Sequence, residues 1–468
     1  MAAILTDRFR IVLTENFRSR IIIGENPGLI SAGVSPVELW LFFAKSEEWT
    51  GVPDAPVDNQ EASFNIYDQI IGLKRISSAD VRGVIRNNKW QSGEIYDIYR
   101  DDYGKIIPNQ TNPNIVQYVQ GLKFENHLYE TNFYVVTSEY KIYKCLSNNY
   151  NNPSTIEPSS ITSAPFTLAD GYVWKYMYSI NANDFEKFKS DEYIPVPEQT
   201  SIDQNNILPA SSNFGGSIYN VIIDSPGTGY KADDEFDIIG DGENGRVRVV
   251  STDVDGGIVS LKILNPGSGY TYAQIDAVTQ GVNAQLNPII SPKEGIGQNI
   301  NLELGAYRLA LHSKLEKSDF IFGNDFSVVG ILYNPTITAN GDIAIGTKQM
   351  ILSGPLGNAP EEYNDLQIIS NNGASGRIVH YEGTTNTIYF TQENIFGYGI
   401  NSSGTRTEFE PGDIVTIGNE QATISSGTTS VKQSELIRGS GEIIYIDNRN
   451  TISRAKDQTE DFKIIIEF

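Results

Sequence analysis

The sequence predicts an α+β fold that is mostly β, with a discontinuous α/β domain built from both chain ends and all-β segments between them. Three observations predict it. The chain closes on a strict alternation, with Phe462, Ile464, Ile466 and Phe468 on one side and Lys463, Ile465 and Glu467 on the other. A period of two is a strand with one face in a core, and a chain end stays ordered only when tied down. That strand is therefore expected to close a sheet begun elsewhere. Gly 42, Pro 20 and Tyr 25 among 468 residues favour strands and turns over helical bundles. Finally, "VIIDSPGTGY" at 221–230 returns as "LKILNPGSGY" at 261–270.

At this length two to four domains are expected. The first hundred residues are mixed. "FRIVL" reads as a strand, "TENFRSRIII" as a helix capped by Thr14, and "VELWLFFAKS" as a strongly apolar strand. Helical spacing follows in "SFNIYDQIIGLKRI" (Ile66, Ile70, Leu73) and "SSADVRGVIRNNKW" (Val81, Ile85), with Ser77 or Ser78 as N-cap. From about 105 to 200 strands dominate: "NFYVVTSEYKIYKCL" and "DGYVWKYMYSI" flank the loop-like "SNNYNNPSTIEPSSITSAP", and "YIPVPEQ" reads as the exit.

The repeat comes next. Each copy is an apolar strand followed by a Pro-Gly turn, with Pro226 and Pro266 fixing φ and Gly227 and Gly267 free to take positive φ. Two copies suit one small β module. The mixed character returns at 295–337. Residues 338–433 are again Gly-, Ser- and Thr-rich with short strands, and the final segment resumes the first domain. The expected domains are thus 1–104 with 295–337 and 434–468, then 105–209, 210–294 and 338–433. Removal of 210–294 is expected to leave the rest folded.

The formal charge of −23 repels nucleic acid and anionic lipid at long range. Neither is an expected partner. A single cysteine, Cys145, allows no intrachain disulfide, which fits a reducing compartment. It reads as a small buried hydrophobe. No signal-peptide pattern and no run of about 18 apolar residues is present, so neither export by the general route nor a membrane span is expected.

Signals for chemistry are thin. No HExxH, no Cys pair, no GxSxG and no GxxxxGK[ST] occurs. His127 and His312 read as polar surface or partner-facing residues, and His380 lies in "GRIVHYE". Asp253 and Asp255, or Asp241 and Glu243, could offer oxygen ligands to calcium. Hairpin turns explain both clusters more simply. Trp40 and Trp174 read as core, whereas Trp49 and Trp90 sit at element ends where a ring can anchor a loop or a partner. No catalytic, cofactor-binding or metal site is expected.

Several stretches taken together carry a resemblance: "FAKSEEW", "ADVRGVIRNNKW", "DGYVWKYMYSI", "NDFSVVGILYNP" and above all the closing "GSGEIIYIDNRNTISRAKDQTEDFKIIIEF". In this order they resemble the baseplate wedge subunit encoded by gene 8 of T4-type contractile-tailed bacteriophages. The resemblance covers about 1–200, 295–337 and 434–468, and omits the two β insertions. It implies an α/β domain from both chain ends, a β-sandwich domain, and a homodimer contacting other wedge proteins. It also implies a virion location in the tail baseplate, assembly in the host cytoplasm, and no enzymatic activity. Two other readings remain: a glycan- or receptor-binding virion protein using exposed aromatic rings, and a glycosidase using a carboxylate pair.

Overall fold

The computed structural model describes residues 4–25, 36–45, 51–108, 116–198, 216–277, 281–292, 295–297, 299–316, 319, 325–453, 455 and 458–468. It is mostly β, with 43% strand and 12% helix, which makes it α+β with a strand majority. Its helices are α1 (Asp7–Glu25), α2 (Gln60–Gln69), α3 (Ala182–Phe188) and α4 (Ile300–Leu304). Among the described residues no helix is long and apolar enough to cross a membrane. The chain forms two compact units. One comprises Met1–Glu15, Arg82–Ala310 and Ile466–Phe468; the other comprises Asn16–Val81 and Leu311–Ile465.

The second unit contains a five-stranded sheet in the order Ile343–Ile345, Ile70–Ile76, Leu39–Ala44, Phe326–Tyr333 and Glu442–Ile452. All neighbours are antiparallel. The central Leu39–Ala44 and Phe326–Tyr333 strands are almost wholly buried, as a continuous apolar run covered on both faces requires. Sequence positions far apart thus lie side by side: Leu41 pairs with Ile331, which in turn pairs with Tyr445. A seven-stranded sheet made from 348–432 encloses a core around Ile378, Ile388, Phe390 and Val415.

In the first unit, the Lys141–Asn148 and Tyr172–Ser179 strands pair at the centre of a four-stranded sheet. One face buries Cys145, Trp174, Tyr143 and Tyr172; the other buries Phe133, Ile142 and Tyr178. The extreme C-terminus is fixed here. Phe468 N–H donates to Tyr307 O (3.3 Å), and Arg308 Nε donates to Glu467 (2.9 Å). Arg10 of α1 lies 3.6 Å from the same carboxylate. On the closing strand Phe462 and Ile464 are buried, while Ile466 and Phe468 are half-buried.

The repeat is larger than its ten-residue signature. Its first copy comprises the strands Ile218–Thr228, Glu235–Gly240 and Glu243–Thr252; the second comprises Ile258–Ser268, Ala273–Ile275 and Val282–Ile290. Each first strand pairs with the third strand of the other copy, so the copies interlock. The expected Pro-Gly turns are corrected: both strands run straight through them, Pro226 opposite Ala284 and Pro266 opposite Gly245. Proline fits because these strands have a free edge, where the missing N–H costs nothing. Positive φ is still required, at Gly227 (64°) and Gly267 (62°), and the residues across from them, Asn283 and Asn244, each sit at 64°. A Cβ on Gly267 would lie 2.7 Å from the Tyr270 ring, and one on Gly227 2.8 Å from Tyr230. The glycines are the space those rings fill. At its base Ile289 is buried in the same core as Tyr99 and Phe133, so removing 210–294 would uncover part of that core.

Three early expectations are corrected. "FRIVL" is helical, and Thr14 is no cap. Thr14 lies inside α1 and its hydroxyl donates back to Arg10 O, while Thr6 Oγ1 accepts from Phe9 N–H at the true start. The helical spacing of Ile66, Ile70 and Leu73 is cut at Gln69, because Ile70–Ile76 is a strand paired on both sides. Val81 and Ile85 lie on the Val81–Arg86 strand, since positions four apart share a face in a strand as in a helix. Ser77 precedes only a single 3₁₀ turn and makes no cap bond.

Candidate functional site

The residues singled out in the sequence do not converge. His127 is exposed beside a 3₁₀ turn, and His380 is half-buried beside Tyr389. His312 is not a surface residue. Both faces of its strand are covered, and its ring lies 2.9 Å from Asp461 and 3.8 Å from Asp80, whose carboxylates replace water around it. Asp253 Oδ1 accepts from the N–H groups of Asp255 (3.0 Å) and Gly257 (2.7 Å), closing a hairpin. Asp241 accepts from Thr271 Oγ1 and N–H and from Tyr272 N–H, bonds that bring its pKa down to about 2. Trp40 and Trp174 are buried, and Trp90 Nε1 donates to Ser154 (3.1 Å). Trp49 lies outside the described residues. Cys145 is buried, and burial raises its thiol well above the ordinary range, so it is no nucleophile. Among the described residues no group of three or more His, Cys, Asp or Glu could hold a metal ion.

Two sites missed by sequence reasoning stand out. The first is a cleft of about 1060 Å³ in the first unit, walled by 97–103, 146–151, 219–224 and 260–263. Asn149, Tyr150 and Asn151 at its rim have φ of 49°, 58° and 62°. A run of left-handed residues costs roughly 1–2 kcal/mol each for L-residues. Asparagine bonds offset it: Asn148 Nδ2 donates to Asn151 Oδ1 (2.8 Å) and Tyr96 O (2.9 Å), and Asn152 Nδ2 to Asn149 O (2.7 Å). The turn leaves Tyr150 59% exposed. Two of the charges lining the cleft, Asp97 and Arg100, are committed to architecture, and Asp224 and Lys262 line it as well. Asp97 accepts from the N–H groups of Leu122 and Asn132, and Arg100 is bidentate to Asp102 (2.8 and 2.9 Å). The cleft offers a ligand an aromatic ring, mixed walls and the Asp224 carboxyl, which burial raises above its ordinary value.

Deeper in this unit, Lys144 and Glu303 form a fully buried ion pair, and Glu303 also accepts from Gly297 N–H. Lys144 Nζ lies 4.4 Å from the Tyr99 ring centre. Burial lowers the neighbouring Lys175 to about 8, against the pull of Glu303, and its ammonium donates to Ser163 O (2.6 Å).

The second site is a cluster of ion pairs in the second unit around a cleft of about 490 Å³. Asp68, at the end of α2, is buried and held by two arginines. Arg438 is bidentate to it (2.6 and 2.9 Å), and Arg406 Nη1 reaches both oxygens at 3.3 Å. The Arg438 guanidinium also lies 4.6 Å from the Phe64 ring centre. Nearby, Lys45 pairs with Asp365 (2.6 Å), and Arg377 bonds both the Lys45 carbonyl (3.2 Å) and the buried Glu393. Glu393 accepts further from Gln69 (3.3 Å). Burial raises its carboxyl above the ordinary range, with Arg377 opposing. Asp68, Gln69 and Lys45 belong to the scaffold sheet and its helix; Asp365, Arg377, Glu393 and Arg406 belong to 338–433. The cluster fastens one to the other. No local pattern announces it, because its partners stand 338 and 370 positions apart.

Compared with known proteins, the chain matches no family model and no curated sequence.

Proposed function

We propose that this protein is a structural subunit of a phage tail baseplate wedge. It acts as a homodimeric adaptor between inner wedge subunits and the peripheral, fibre-carrying ones, and moves as a rigid body when the baseplate rearranges. It carries no catalytic residues and needs no cofactor. Its partners are itself and other wedge proteins, not nucleic acid or membrane. It would reside in the virion tail after assembly in the host cytoplasm. In this reading a discontinuous α/β domain and a β-sandwich domain carry two inserted β modules.

The observation that carries the reading is the position of the resembling segments. "FAKSEEW" begins at the end of the Leu39–Ala44 strand, "NDFSVVGILYNP" contains Phe326–Tyr333, and "GSGEIIYIDNRNTI" contains Glu442–Ile452. These are three consecutive strands of one sheet. Segments that build a shared core are those a family keeps in order. The committed state of the buried charges also suits an inert building block. Immunogold electron microscopy of virions with antibody to this chain tests the proposal. Label at the distal end of the tail is expected, and unlabelled virions from an expressing infection overturn it.

A second reading, glycan binding, is favoured by the exposed Tyr150 at the rim of the larger cleft. A glycan array answers it: binding lost in Tyr150→Ala supports the reading, and a flat array ends it.

A further inference from the structure

We infer that Asn340 is a site of spontaneous deamidation and isoaspartate formation, a covalent change that the fold permits at this Asn-Gly pair and blocks at the other two. The site goes beyond the baseplate reading and does not depend on it.

The chain has three Asn-Gly pairs, at 244–245, 340–341 and 372–373. In such a pair the glycine nitrogen can attack the asparagine Cγ, because no side chain on the following residue screens it. Hydroxide takes the amide proton, the N–Cγ bond forms, the Cγ–Nδ2 bond breaks, and the amide leaves as ammonia. Water then opens the cyclic imide at either carbonyl. One product is aspartate. The other is isoaspartate, whose main chain runs through Cβ and Cγ and so gains a carbon. Attack needs a carboxamide free to turn, a nitrogen not engaged in a hydrogen bond, and access to water.

Two of the pairs are locked, each in its own way. Gly245 is buried on the Glu243–Thr252 strand, and its N–H donates to the Tyr270 hydroxyl (3.0 Å). Asn372 is exposed, yet its carboxamide is tied by three bonds. Its Nδ2 donates to Asp413 Oδ2 (2.8 Å) and Glu408 O (3.1 Å), and its Oδ1 accepts from Ala374 N–H (2.8 Å). Gly373 N–H donates in turn to Ser370 O (2.9 Å). Exposure alone therefore does not make a site. Asn340 and Gly341 are both exposed, and neither the carboxamide nor the Gly341 N–H makes a hydrogen bond among the described residues. A Cβ built on Gly341 would meet nothing within 4 Å, so the nitrogen stands open to solvent.

The position gives the change a consequence. Asp342 O accepts from Arg75 N–H (2.8 Å), and Ile343–Ile345 then forms an edge of the five-stranded sheet against Ile70–Ile76. A carbon added just before this strand alters the length of chain that sets its register. Deamidation also places a new carboxylate near Asp342 on a chain already at −23. The result is a slow, one-way loosening of the sheet edge, timed by hydroxide and not by a partner.

The test incubates the full chain at mildly alkaline pH, folded or in guanidinium chloride. Trypsin then puts the three pairs on separate peptides, ending at Arg246, Lys348 and Arg377. Tandem mass spectrometry localises the gain of one mass unit. Asp-N endoproteinase, which cuts before aspartate and not before isoaspartate, divides the products. In the folded chain Asn340 is expected to convert at least about tenfold faster than Asn244 and Asn372, which react only through local opening. In denaturant all three are expected to convert at similar rates. Asn340→Gln removes the early mass gain and keeps the far-UV circular dichroism of the wild type. Equal rates in the folded chain, or a faster site at Asn244 or Asn372, overturn the inference. So does an order that persists in denaturant, since neighbouring residues and not the fold would then choose the site. Hydrogen exchange at Ile343–Ile345 rises in the converted fraction; unchanged exchange there overturns the loosening while the site stands.

Discussion

The two β insertions are held in opposite ways. The module at 216–290 keeps its form through backbone chemistry: a positive-φ pair at each Pro-Gly crossing, two rings under glycines, and strands exchanged between copies. Its charged side chains stay near the surface, as in the Arg246–Asp237 pair (2.9 Å) on its outer face. The segment at 338–433 is fastened instead by buried charge, with Asp68, Arg406, Arg438, Arg377 and Glu393 at the seam. The first device is local and steric, so it tolerates salt and pH. The second is long-range and electrostatic, so losing one partner leaves the others unpaired, the buried Arg377 and Glu393 in low dielectric.

The largest effect is expected from Asp68→Ala. It leaves two guanidinium groups, 26% and 44% exposed, without their carboxylate, and a loss of about 3 kcal/mol, the low end for a broken buried pair, is expected because water reaches both. Differential scanning calorimetry should show a transition several degrees lower. The same change should expose 338–433 to limited proteolysis while 216–290 stays protected. A variant that melts as wild type would mean that the seam is held by its apolar contacts.

The next effect falls in the repeat. Gly267→Ala must hold φ near 62° and place a Cβ 2.5 Å from Glu243 O. The left-handed penalty is roughly 1–2 kcal/mol, and crowding against backbone adds about 1–3 more. Gly227→Ala meets the same geometry, 2.5 Å from Val282 O. Equal losses in chemical denaturation would confirm that both copies use one device. A tolerated change at one site would show that its copy relaxes.

Smaller again is a dependence on pH. Burial depresses Lys175 to about 8, below its ordinary 10.5. Between those values the unfolded chain holds more protons than the folded one, so stability rises with pH across that window. The melting temperature of the wild type relative to Lys175→Met is expected to climb between pH 8 and 10. A flat difference would mean that the ammonium is relieved of its burial penalty.

How much of this was legible depended on distance along the chain. The Gly-Tyr signature was readable because positive φ and the Pro-Gly pair are written in adjacent residues. Its second half escaped, since "GENG" and "GVNA" share only a glycine and the asparagine at 244 and 283, both left-handed. The Val81–Ile85 spacing misled because four is common to both periodicities. The α1 segment misled because a short apolar run looks like a strand until its partners are known. The seam at Asp68 could not be read at all, because nothing near "YDQI" indicates arginines more than 300 positions on. The Tyr150 turn was passed over as a loop, although asparagines on both sides were the residues able to hold it.

The finest discrimination lies between the two tyrosines of the repeat. Tyr270 and Tyr230 are equally buried and sit under equivalent glycines. Their hydroxyls differ. Tyr270 donates to Ile238 O (3.0 Å) and accepts from Gly245 N–H (3.0 Å), whereas the buried Tyr230 hydroxyl has no hydrogen-bond partner among the described residues. The second copy has Ala284 where the first has Gly245, and its N–H makes no such bond to Tyr230 among the described residues. Removing a bonded hydroxyl leaves two buried backbone groups unpaired, which costs about 1–3 kcal/mol. Removing an unbonded one relieves a desolvation penalty. Tyr270→Phe should therefore destabilise the chain, and Tyr230→Phe should be neutral or stabilising, as urea denaturation can measure. The reverse order would mean that the interlocked copies share a shape without sharing the bonds assigned to them.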